Sequence, residues 1–340
     1  MKRRALGILL VLVLIVAVVS ASGCKPKTAP LGSEDNPIKL YFVPSVEVSV
    51  IVESGEAMTD WIEEQTGLKF EVRVPTTYAA VVEEMGAAEG DAMAFIPAMG
   101  YVLAHDRYGM EVALATERYG WGYYWAEYVV QRDSGITSLE DLDGKSWAYP
   151  STTSTSGYLV PASYFAKQGI EPSEEFEAGG HPQAVAAVYE GQADFGTAYF
   201  SAPGDAGDWD IGDPPEPEGE FTYEEVEGNL RAYKGGQRIR DARAAMLDTY
   251  PDVCEKVAIL AISDPIPNDT VSFSKDFPED VREKVVDALL AYAQTEEGQA
   301  VLANDKFYDI TGFTPVDDAQ FDPIRDMITG LGLAEEDILE

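Results

Sequence analysis

Short apolar runs alternate with longer mixed segments along the chain, and this order predicts strands and helices in turn. Runs that are apolar and rich in β-branched or aromatic residues are typical of strands, and three of them lie at 38–44, 70–74 and 91–96. Two helices are predicted between them, one over 48–66 with Gly67 as its end and one that Thr76–Tyr78 cap and that reaches about Met85. Strand, helix, strand, helix, strand in succession predicts an α/β lobe with a largely parallel sheet.

The second half of the chain repeats part of this pattern. Residues 80–95 and 183–199 both consist of an Ala/Val-rich segment, a stop at or near Gly, an Asp and a short apolar run. A duplicated two-lobe fold predicts such a repeat. We therefore expect a first lobe over 38–125 and 264–330 and a second lobe over 126–263. Further predicted elements are a strand at 256–262 and helices at 238–249, 279–294, 297–302 and 319–330.

Two stretches mark where the chain leaves this regular pattern. The Pro-rich segment 263–269 is typical of an extended crossover between lobes, and a second crossover is expected near Ala126. The stretch 203–223 is acidic, rich in Pro and Gly, and without periodicity. Trp209 would suit a lid over a ligand, but a solvated loop is the preferred interpretation of this insertion.

The N-terminus is typical of a targeting segment. Three basic residues precede the apolar run 5–19, and Ala21-Ser-Gly-Cys24 follows, which resembles a bacterial lipobox. We expect a signal peptide over 1–23, acylation of Cys24 and a tether over 24–37, which would anchor an extracytoplasmic protein to the cytoplasmic membrane. Ala21 stands where a lipobox usually has Leu, so ordinary secretion or an uncleaved anchor stays open.

Charge and composition exclude several classes of partner. The 340 residues carry 24 Lys and Arg against 60 Asp and Glu, a formal net charge of −36, which repels nucleic acid and anionic lipid headgroups. Two cysteines and two histidines give no cluster with metal-ligand spacing, and no cofactor is expected. Cys254 is predicted to be a buried, unpaired residue.

The candidate site is the hydroxyl-rich string that begins at Ser151 and follows the predicted strand 147–149. It leads through Ser154, Thr155 and Ser156 into a helix that reaches about Gln168. The first amides of a helix have no internal acceptor, and the helix dipole places partial positive charge there, which suits an oxyanion. The alternative interpretation is an ordinary Ser/Thr helix cap in a solvated loop.

Motifs across residues 38–315 resemble the phosphate, phosphite and phosphonate solute-binding proteins of ABC importers. The resemblance is carried by Tyr78, Tyr124, Asp133–Ile136, Ser154–Gly157 with Pro161, Gly179–His181 and Pro265–Pro267. It implies an α/β, type II-like periplasmic-binding-protein fold with two interlobe crossovers. It also implies a monomeric, non-enzymatic protein that closes around a small phosphorus oxyanion and delivers it to a membrane permease.

The resemblance assigns roles to seven residues. The hydroxyls of Ser154, Thr155 and Ser156 would hold the oxyanion together with Tyr78, Tyr124 and His181, and no Lys or Arg is required. A bound anion is expected to raise the pKa of His181. Asp269 would be available to bind a ligand amine, but Ser201 occupies the place of a second acid in the amine-binding relatives. Phosphate, phosphite, methylphosphonate and 2-aminoethylphosphonate therefore all stay open.

Three other functions are left open by the sequence. A hydrolase would use Ser154 or Ser156 as nucleophile and His181 as base, with Asp194 or Asp269 to orient the base, but no Gly-x-Ser-x-Gly motif is present. A sensory lipoprotein would use the same two-lobed fold. A binder of another oxyanion, such as sulfate, is the third, and an acidic acceptor near the hydroxyls would favour phosphorus over it.

Overall fold

The computed structural model describes residues 29–204, 209–226, 228–304 and 306–332, so the predicted signal peptide and Cys24 lie outside the described residues. Its strands are β1 Ile38–Phe42, β2 Phe70–Arg73, β3 Ala92–Ile96, β4 Glu111–Arg118, β5 Tyr123–Gln131, β6 Ser146–Tyr149, β7 Glu174–Glu177, β8 Phe195–Phe200, β9 Phe221–Val226, β10 Asn229–Lys234, β11 Gln237–Arg238, β12 Val257–Ile262, β13 Ile266–Pro267, β14 Thr270–Phe273 and β15 Ile310–Pro315. Its α-helices are α1 Val48–Thr66, α2 Tyr78–Ala87, α3 Ala98–Tyr108, α4 Val160–Gln168, α5 His181–Tyr189, α6 Val253–Lys256, α7 Glu279–Tyr292, α8 Glu296–Leu302 and α9 Asp322–Gly330.

The first sheet has six strands in the order β15-β4-β14-β3-β1-β2. Only β1 with β2 and β1 with β3 pair in parallel, while β14, β4 and β15 join antiparallel, so the predicted parallel sheet accounts for one half of it. Side chains of a strand alternate between faces, and both faces of β1 are covered. Leu40 and Phe42 belong to the core that includes residues of α1 and α7, whereas Tyr41 packs into the core of α2 and α3.

The second sheet has the order β12-β5-β8-β6-β7, with β13 beside β5. Strand β6 runs parallel to β7 and β8, and β5 runs antiparallel to β8 and β12. The predicted repeat is confirmed: α2 with β3 and α5 with β8 are both a helix followed by a buried strand. Cys254 is fully buried in α6, directly before β12, and burial raises its pKa to about 12.

The chain passes between the two sheets after β4 and again between β12 and β14. Two hydrogen bonds connect the crossovers. Ser263 N–H donates to Ala126 O at 2.9 Å, and Ala126 N–H donates to Ser263 Oγ at 2.9 Å. The predicted lobe boundary at 125/126 falls inside β5. Because β5 pairs with both β12 and β13, the two crossover segments lie side by side.

The predicted helix over 238–249 is wrong. This part of the chain contains β11, a 3₁₀ turn at Ala244–Met246 and irregular backbone. Asp241 Oδ1 accepts hydrogen bonds from Arg243 N–H at 3.0 Å and Nε–H at 2.9 Å, so its side chain binds nearby groups in place of helical bonds. The antiparallel sheet β11-β10-β9, which follows the acidic insertion, is absent from the prediction.

The solvated-loop interpretation of the insertion is wrong for Trp209. This side chain is 3% exposed and packs with its ring centroid 5.1 Å from that of Trp125 and 5.8 Å from that of Phe200. Its Nε1–H donates to Pro214 O at 3.1 Å. Trp209 is therefore a core residue rather than a lid, while residues 210–214 and 218–220 of the insertion are exposed, as expected of a solvated loop.

Two kinds of feature are missing from the described residues. Among these residues we find no helix that has the length and hydropathy needed to cross a membrane. Within the same ranges no group of three or more His, Cys, Asp or Glu side chains is arranged to hold a metal ion.

Candidate functional site

The hydroxyl-rich string forms a tight turn between β6 and α4. Ser154 is the N-cap of a π-helical turn, Thr155–Leu159, which continues directly into α4. Ser154 Oγ accepts from Gly157 N–H at 3.1 Å, so the cap interpretation is correct for this hydroxyl. A Cβ on Gly157 would lie 2.3 Å from Pro150 Cδ, which explains why glycine occupies this position. The turn thus presents the start of a helix at the carboxyl end of β6, where open α/β sheets bind ligands.

A cavity of about 40 Å³ lies in front of this turn, between the two sheets. A buried water needs roughly 10–15 Å³ on the same measure, so the cavity has room for a ligand of a few heavy atoms. It is lined by Val43, Ser45, Val46, Tyr78, Pro97, Arg118, Tyr124, Ser154, Ser156, His181, Tyr199, Ser201, Asp269, Phe307, Tyr308 and Asp309. The structure therefore brings together every predicted ligand-binding residue except Thr155.

Thr155 lies at the contact between the lobes instead. Its side chain is fully buried, and its Oγ1 accepts a hydrogen bond of 2.9 Å from Met99 N–H in the first turn of α3. Leu159, in the same turn, packs into the core of α2 and α3 in the first lobe. In the structure Thr155 thus joins the two lobes and does not line the cavity, and its predicted contact with a ligand stays a prediction.

Four buried polar atoms on residues that line the cavity have no partner in the described part of the chain. They are Ser45 Oγ, Tyr78 Oη, Arg118 Nε and His181 Nδ1, which donates in one of the two neutral tautomers. An unpaired buried polar group costs about 1–3 kcal/mol, so native proteins pair nearly all of them. Tyr78 Oη and Ser45 Oγ are neighbours, yet neither makes a hydrogen bond of normal geometry. Unpaired donors that surround one cavity indicate a ligand with acceptor oxygens.

His181, Tyr78 and Tyr124 are held in their neutral forms by burial. His181 begins α5, as predicted, and its ring packs edge-on against Tyr199 with centroids 5.1 Å apart. Burial, together with Arg118, lowers the pKa of His181 to about 3. Burial also raises the pKa of Tyr78 and Tyr124 above the usual phenol value, which keeps their hydroxyls protonated. The expected increase in the pKa of His181 therefore requires the anion itself.

Arg118 lines the cavity, although the sequence did not predict it as a site residue. It ends β4, and its Nη2 donates to Asp269 Oδ2 at 2.7 Å, with the two side chains 11% and 12% exposed. Burial raises the pKa of the Asp269 carboxyl, and the attraction of Arg118 offsets part of that increase. The signal that could have found Arg118 is its position at a strand end directly before the first crossover.

The residues proposed for a hydrolase do not form a triad. His181 Nδ1 accepts no hydrogen bond and donates none among the described residues, so no carboxylate orients the ring. Asp194 accepts from Ser146 N–H and Oγ–H, both at 2.9 Å, beside the start of β6. Asp269 is already bonded to Arg118. The geometry supports binding and does not assemble a nucleophile with an oriented base.

Comparison with known proteins identifies the family. The family described as ABC transporter, phosphonate, periplasmic substrate-binding protein matches residues 40–321. The chain belongs to this family. The family consists of substrate-binding components of transporters, so the prediction of a non-enzymatic protein is confirmed.

Relatives in this family support the assignment. The phosphate-import protein PhnD of Mycolicibacterium smegmatis is 28% identical over 201 residues, which is 55% of this chain and 62% of that protein. The chain thus spans about three fifths of the length of this relative. The phosphonates-binding periplasmic protein of Escherichia coli K12 is 25% identical over 277 residues, 78% of this chain and 68% of that protein.

Solved structures confirm the two-lobed α/β fold. A binding protein component of an ABC phosphonate transporter from Pseudomonas aeruginosa superposes with a TM-score of 0.67 at 21% identity and covers 87% of both chains. PhnD1 from Prochlorococcus marinus, in complex with methylphosphonate, gives a TM-score of 0.65 at 14% identity over 87% of this chain and 98% of that one. At these identities the likeness concerns the fold alone.

Proposed function

We propose that this protein is the extracytoplasmic solute-binding component of an ABC importer and that it binds a small phosphorus oxyanion in the cavity between its lobes. The observation that carries the proposal is the set of unpaired, buried donors, Tyr78 Oη, His181 Nδ1 and Arg118 Nε, around one cavity. Oxygen atoms of an oxyanion would satisfy all three. Hydrogen bonds in which one partner is charged contribute about 1.5–3 kcal/mol each, net of the bonds to water that they replace.

The turn at the start of α4 adds to this set of donors. Ser154 and Ser156 line the cavity, and the first amides of a helix have no intrahelical acceptor. The helix dipole adds partial positive charge at the same place. A protein with a net charge of −36 is thereby able to hold an anion at one local site.

Two carboxylates favour phosphorus over sulfur. Asp269 and Asp309 line the cavity beside the donors. A carboxylate accepts hydrogen bonds but cannot donate them, so it can bind the hydroxyl of a protonated phosphate, phosphite or phosphonate. Sulfate and sulfonates are fully deprotonated at neutral pH and would meet only repulsion from these groups. We therefore expect the site to reject sulfate.

Closure of the lobes supplies the signal to the permease in this proposal. The hydrogen bond between Met99 N–H and Thr155 Oγ1 and the packing of Leu159 into the first lobe join the lobes directly above the cavity. A ligand that contacts Tyr78 from one lobe and Ser156 from the other favours this closed arrangement. The closed form is then the one that the permease recognises.

Calorimetric titration of the purified protein tests the proposal. Phosphate, phosphite, methylphosphonate, 2-aminoethylphosphonate and sulfate are added in separate experiments. We expect saturable binding of at least one phosphorus compound and at least tenfold weaker binding of sulfate. Absence of binding heat with every phosphorus compound, checked by thermal-shift measurement, would exclude the proposed function.

Tyr78→Phe tests the contribution of one donor. Because Tyr78 Oη has no partner among the described residues, its loss is expected to leave the free energy of unfolding without ligand unchanged or slightly higher. Binding of the preferred ligand should weaken by about 1.5–3 kcal/mol. Tyr292→Phe is the matched control, since Tyr292 Oη is also buried and unpaired but does not line the cavity. Equal effects of the two substitutions on affinity would remove Tyr78 from the site.

A further inference from the structure

Arg118 and Asp269 form a buried ion pair inside the candidate site. Strand β4 pairs antiparallel with β14, and Thr270 lies opposite Ala115, which places the end of β4 beside the residue that precedes β14. Thr116 N–H donates to Asp269 O at 2.9 Å and fixes this register. The two side chains then meet, Arg118 Nη2 to Asp269 Oδ2, at 2.7 Å. Both line the cavity.

The guanidinium of Arg118 lies close to two aromatic rings and has one N–H group without an acceptor. Its Cζ lies 5.8 Å from the ring centroid of Tyr124 and 5.9 Å from that of Tyr308, within cation–π distance of both. Arg118 Nε is buried without a partner among the described residues. Of the described residues that line the cavity, Arg118 alone carries a permanent positive charge.

We propose that Arg118 determines the specificity of the site. Its guanidinium pairs with the Asp269 carboxylate that a ligand ammonium would need, and its Nε–H donates to the oxyanion. The preferred ligands are then phosphorus oxyanions without an amino group, and 2-aminoethylphosphonate is rejected. This inference rests on the proposed function. It deepens that proposal, because it names the substrate class within the phosphorus compounds.

Charge balance in the cavity explains the rejection. An ammonium group is retained in a buried site only when an acceptor with negative charge is within reach. Asp269 Oδ2 is already bonded to a guanidinium, and a second cation beside Arg118 would be repelled by it. Ser201, which stands where the amine-binding relatives are expected to have a second acid, also lines the cavity and is neutral. Asp309 also lines the cavity, but it interacts with the hydroxyl of Tyr119 and with the charge of Arg118.

The experiment separates charge from size. Propylphosphonate and 2-aminoethylphosphonate have the same number of heavy atoms and differ in a terminal methyl or ammonium group. Both are titrated calorimetrically into the full-length protein, with methylphosphonate as the reference for a short tail. We expect propylphosphonate to bind at least tenfold more tightly than 2-aminoethylphosphonate, whatever the affinity of each relative to methylphosphonate.

Arg118→Gln is expected to change this preference. Loss of the guanidinium should weaken methylphosphonate and propylphosphonate by about 10–100-fold, as for a lost charged hydrogen bond. It also frees Asp269, so 2-aminoethylphosphonate should bind as tightly as propylphosphonate or more tightly. Adding Asp269→Asn to this variant should abolish that gain. Arg73→Gln is the matched control, because Arg73 pairs with Glu71 at 2.8 Å on the outside of the first sheet.

The outcomes distinguish this inference from the proposed function. If the wild-type protein binds no phosphorus compound, the proposed function fails. If it binds propylphosphonate and 2-aminoethylphosphonate equally, or if Arg118→Gln weakens both by the same factor, the function stands and the role of Arg118 is wrong. Should Arg118→Gln fail to fold, the wild-type ratio and Arg118→Lys decide, since the lysine keeps the charge and should keep the rejection of the ammonium.

Discussion

Arg118 and Arg243 are both buried arginines paired with an aspartate, but their surroundings differ. Arg243 is fully buried in the second lobe, where its Nε donates to Asp241 Oδ1 and its Nη2 to Asp241 Oδ2, both at 2.9 Å. Its Nη1 donates to Glu216 and to Val257 O. Arg118 has one carboxylate partner, an unpaired Nε and an adjacent cavity. A buried guanidinium with its hydrogen bonds made within the protein is typical of a structural group. A buried guanidinium with an unpaired N–H beside a cavity is what we expect of a group that binds a ligand.

The Arg243 cluster also explains why the acidic insertion is ordered at Glu216. Burial alone would raise the pKa of Glu216, but Arg243, Arg132 and Lys234 lower it to about 2. Glu216 carboxylate oxygens accept from Arg132 and Lys234 at 2.8 Å. Nearby, burial raises the pKa of Glu127 well above the usual carboxyl value, which favours its neutral form. Glu216 of the insertion thus supplies a negative charge that pairs with Arg132, Lys234 and Arg243.

The largest expected effect comes from breaking the completed cluster. Arg243→Met leaves Asp241 and Glu216 buried without their main cation, and loss of one member of a buried ion pair costs about 3–5 kcal/mol. Urea denaturation should show this loss in the free energy of unfolding. Arg282→Met, which breaks partly exposed pairs with Glu111 and Glu279, should cost less than about 1 kcal/mol.

Arg118→Met sharpens the same comparison. The cavity lets water reach Asp269, so this variant should lose less stability than Arg243→Met but should lose ligand affinity. Arg243→Met, measured at a temperature where it stays folded, should keep its ligand affinity within a few-fold. If both variants lost stability and affinity alike, the distinction between a structural and a ligand-binding arginine would be wrong.

The next effect concerns His181 and pH. Burial and Arg118 place its folded pKa, about 3, below the unfolded value of about 6.5. The unfolded state therefore binds the extra proton first as pH falls, so the stabilisation is complete above about pH 6.5 and is lost between there and pH 3. In the ligand-free protein we expect a loss of about 1.4 kcal/mol for each pH unit in this window.

His181→Asn isolates this contribution from that of the carboxylates. The unfolding free energies of wild type and variant are measured by urea denaturation at pH 5, 6 and 7. Their difference should change with pH by the amount expected for His181. A saturating phosphorus oxyanion should flatten this dependence on pH, because an adjacent anion stabilises the imidazolium. A pH-independent difference without ligand would show that His181 is not buried as a neutral ring.

The sequence could locate most of the site because those residues are fixed by local structure. Ser154 caps a helix that follows a strand, His181 begins a helix after Gly180, and Thr77 caps the helix that starts at Tyr78. Cap and strand-end signals of this kind are readable over a few residues.

Arg118, Thr155 and Trp209 could not be placed in the same way because their partners are distant in sequence. The position of Arg118 depends on the antiparallel pairing of β4 with β14. The direction of the Thr155 side chain depends on the π-helical turn and on Met99 in the other lobe. Trp209 packs against Trp125 and Phe200, which are distant in sequence, and the acidic residues around it gave no sign that it would be buried. Local pattern predicts elements, whereas contacts between residues distant in sequence depend on the tertiary fold.

The smallest expected effect tests whether a buried hydroxyl next to the cavity binds the ligand or joins the lobes. Thr155→Val keeps the shape of the side chain and removes the acceptor for Met99 N–H. If this bond forms as the lobes close, as the proposed function requires, the variant should weaken every ligand alike by about 1 kcal/mol, roughly fivefold. Its ligand-free stability should change little, as measured by urea denaturation.

Thr59→Val is the control for the loss of a buried threonine hydroxyl away from the contact between Thr155 and Met99, because Thr59 Oγ1 donates to Glu56 O within α1. A direct ligand contact by Thr155 would instead give a loss that depends on the ligand, greatest for the compound with most oxygen atoms. Equal factors for phosphite, phosphate and methylphosphonate therefore support closure, and unequal factors support direct contact. Because the hydroxyl already has a partner in the closed form, whereas Tyr78 Oη and His181 Nδ1 have none, we expect equal factors.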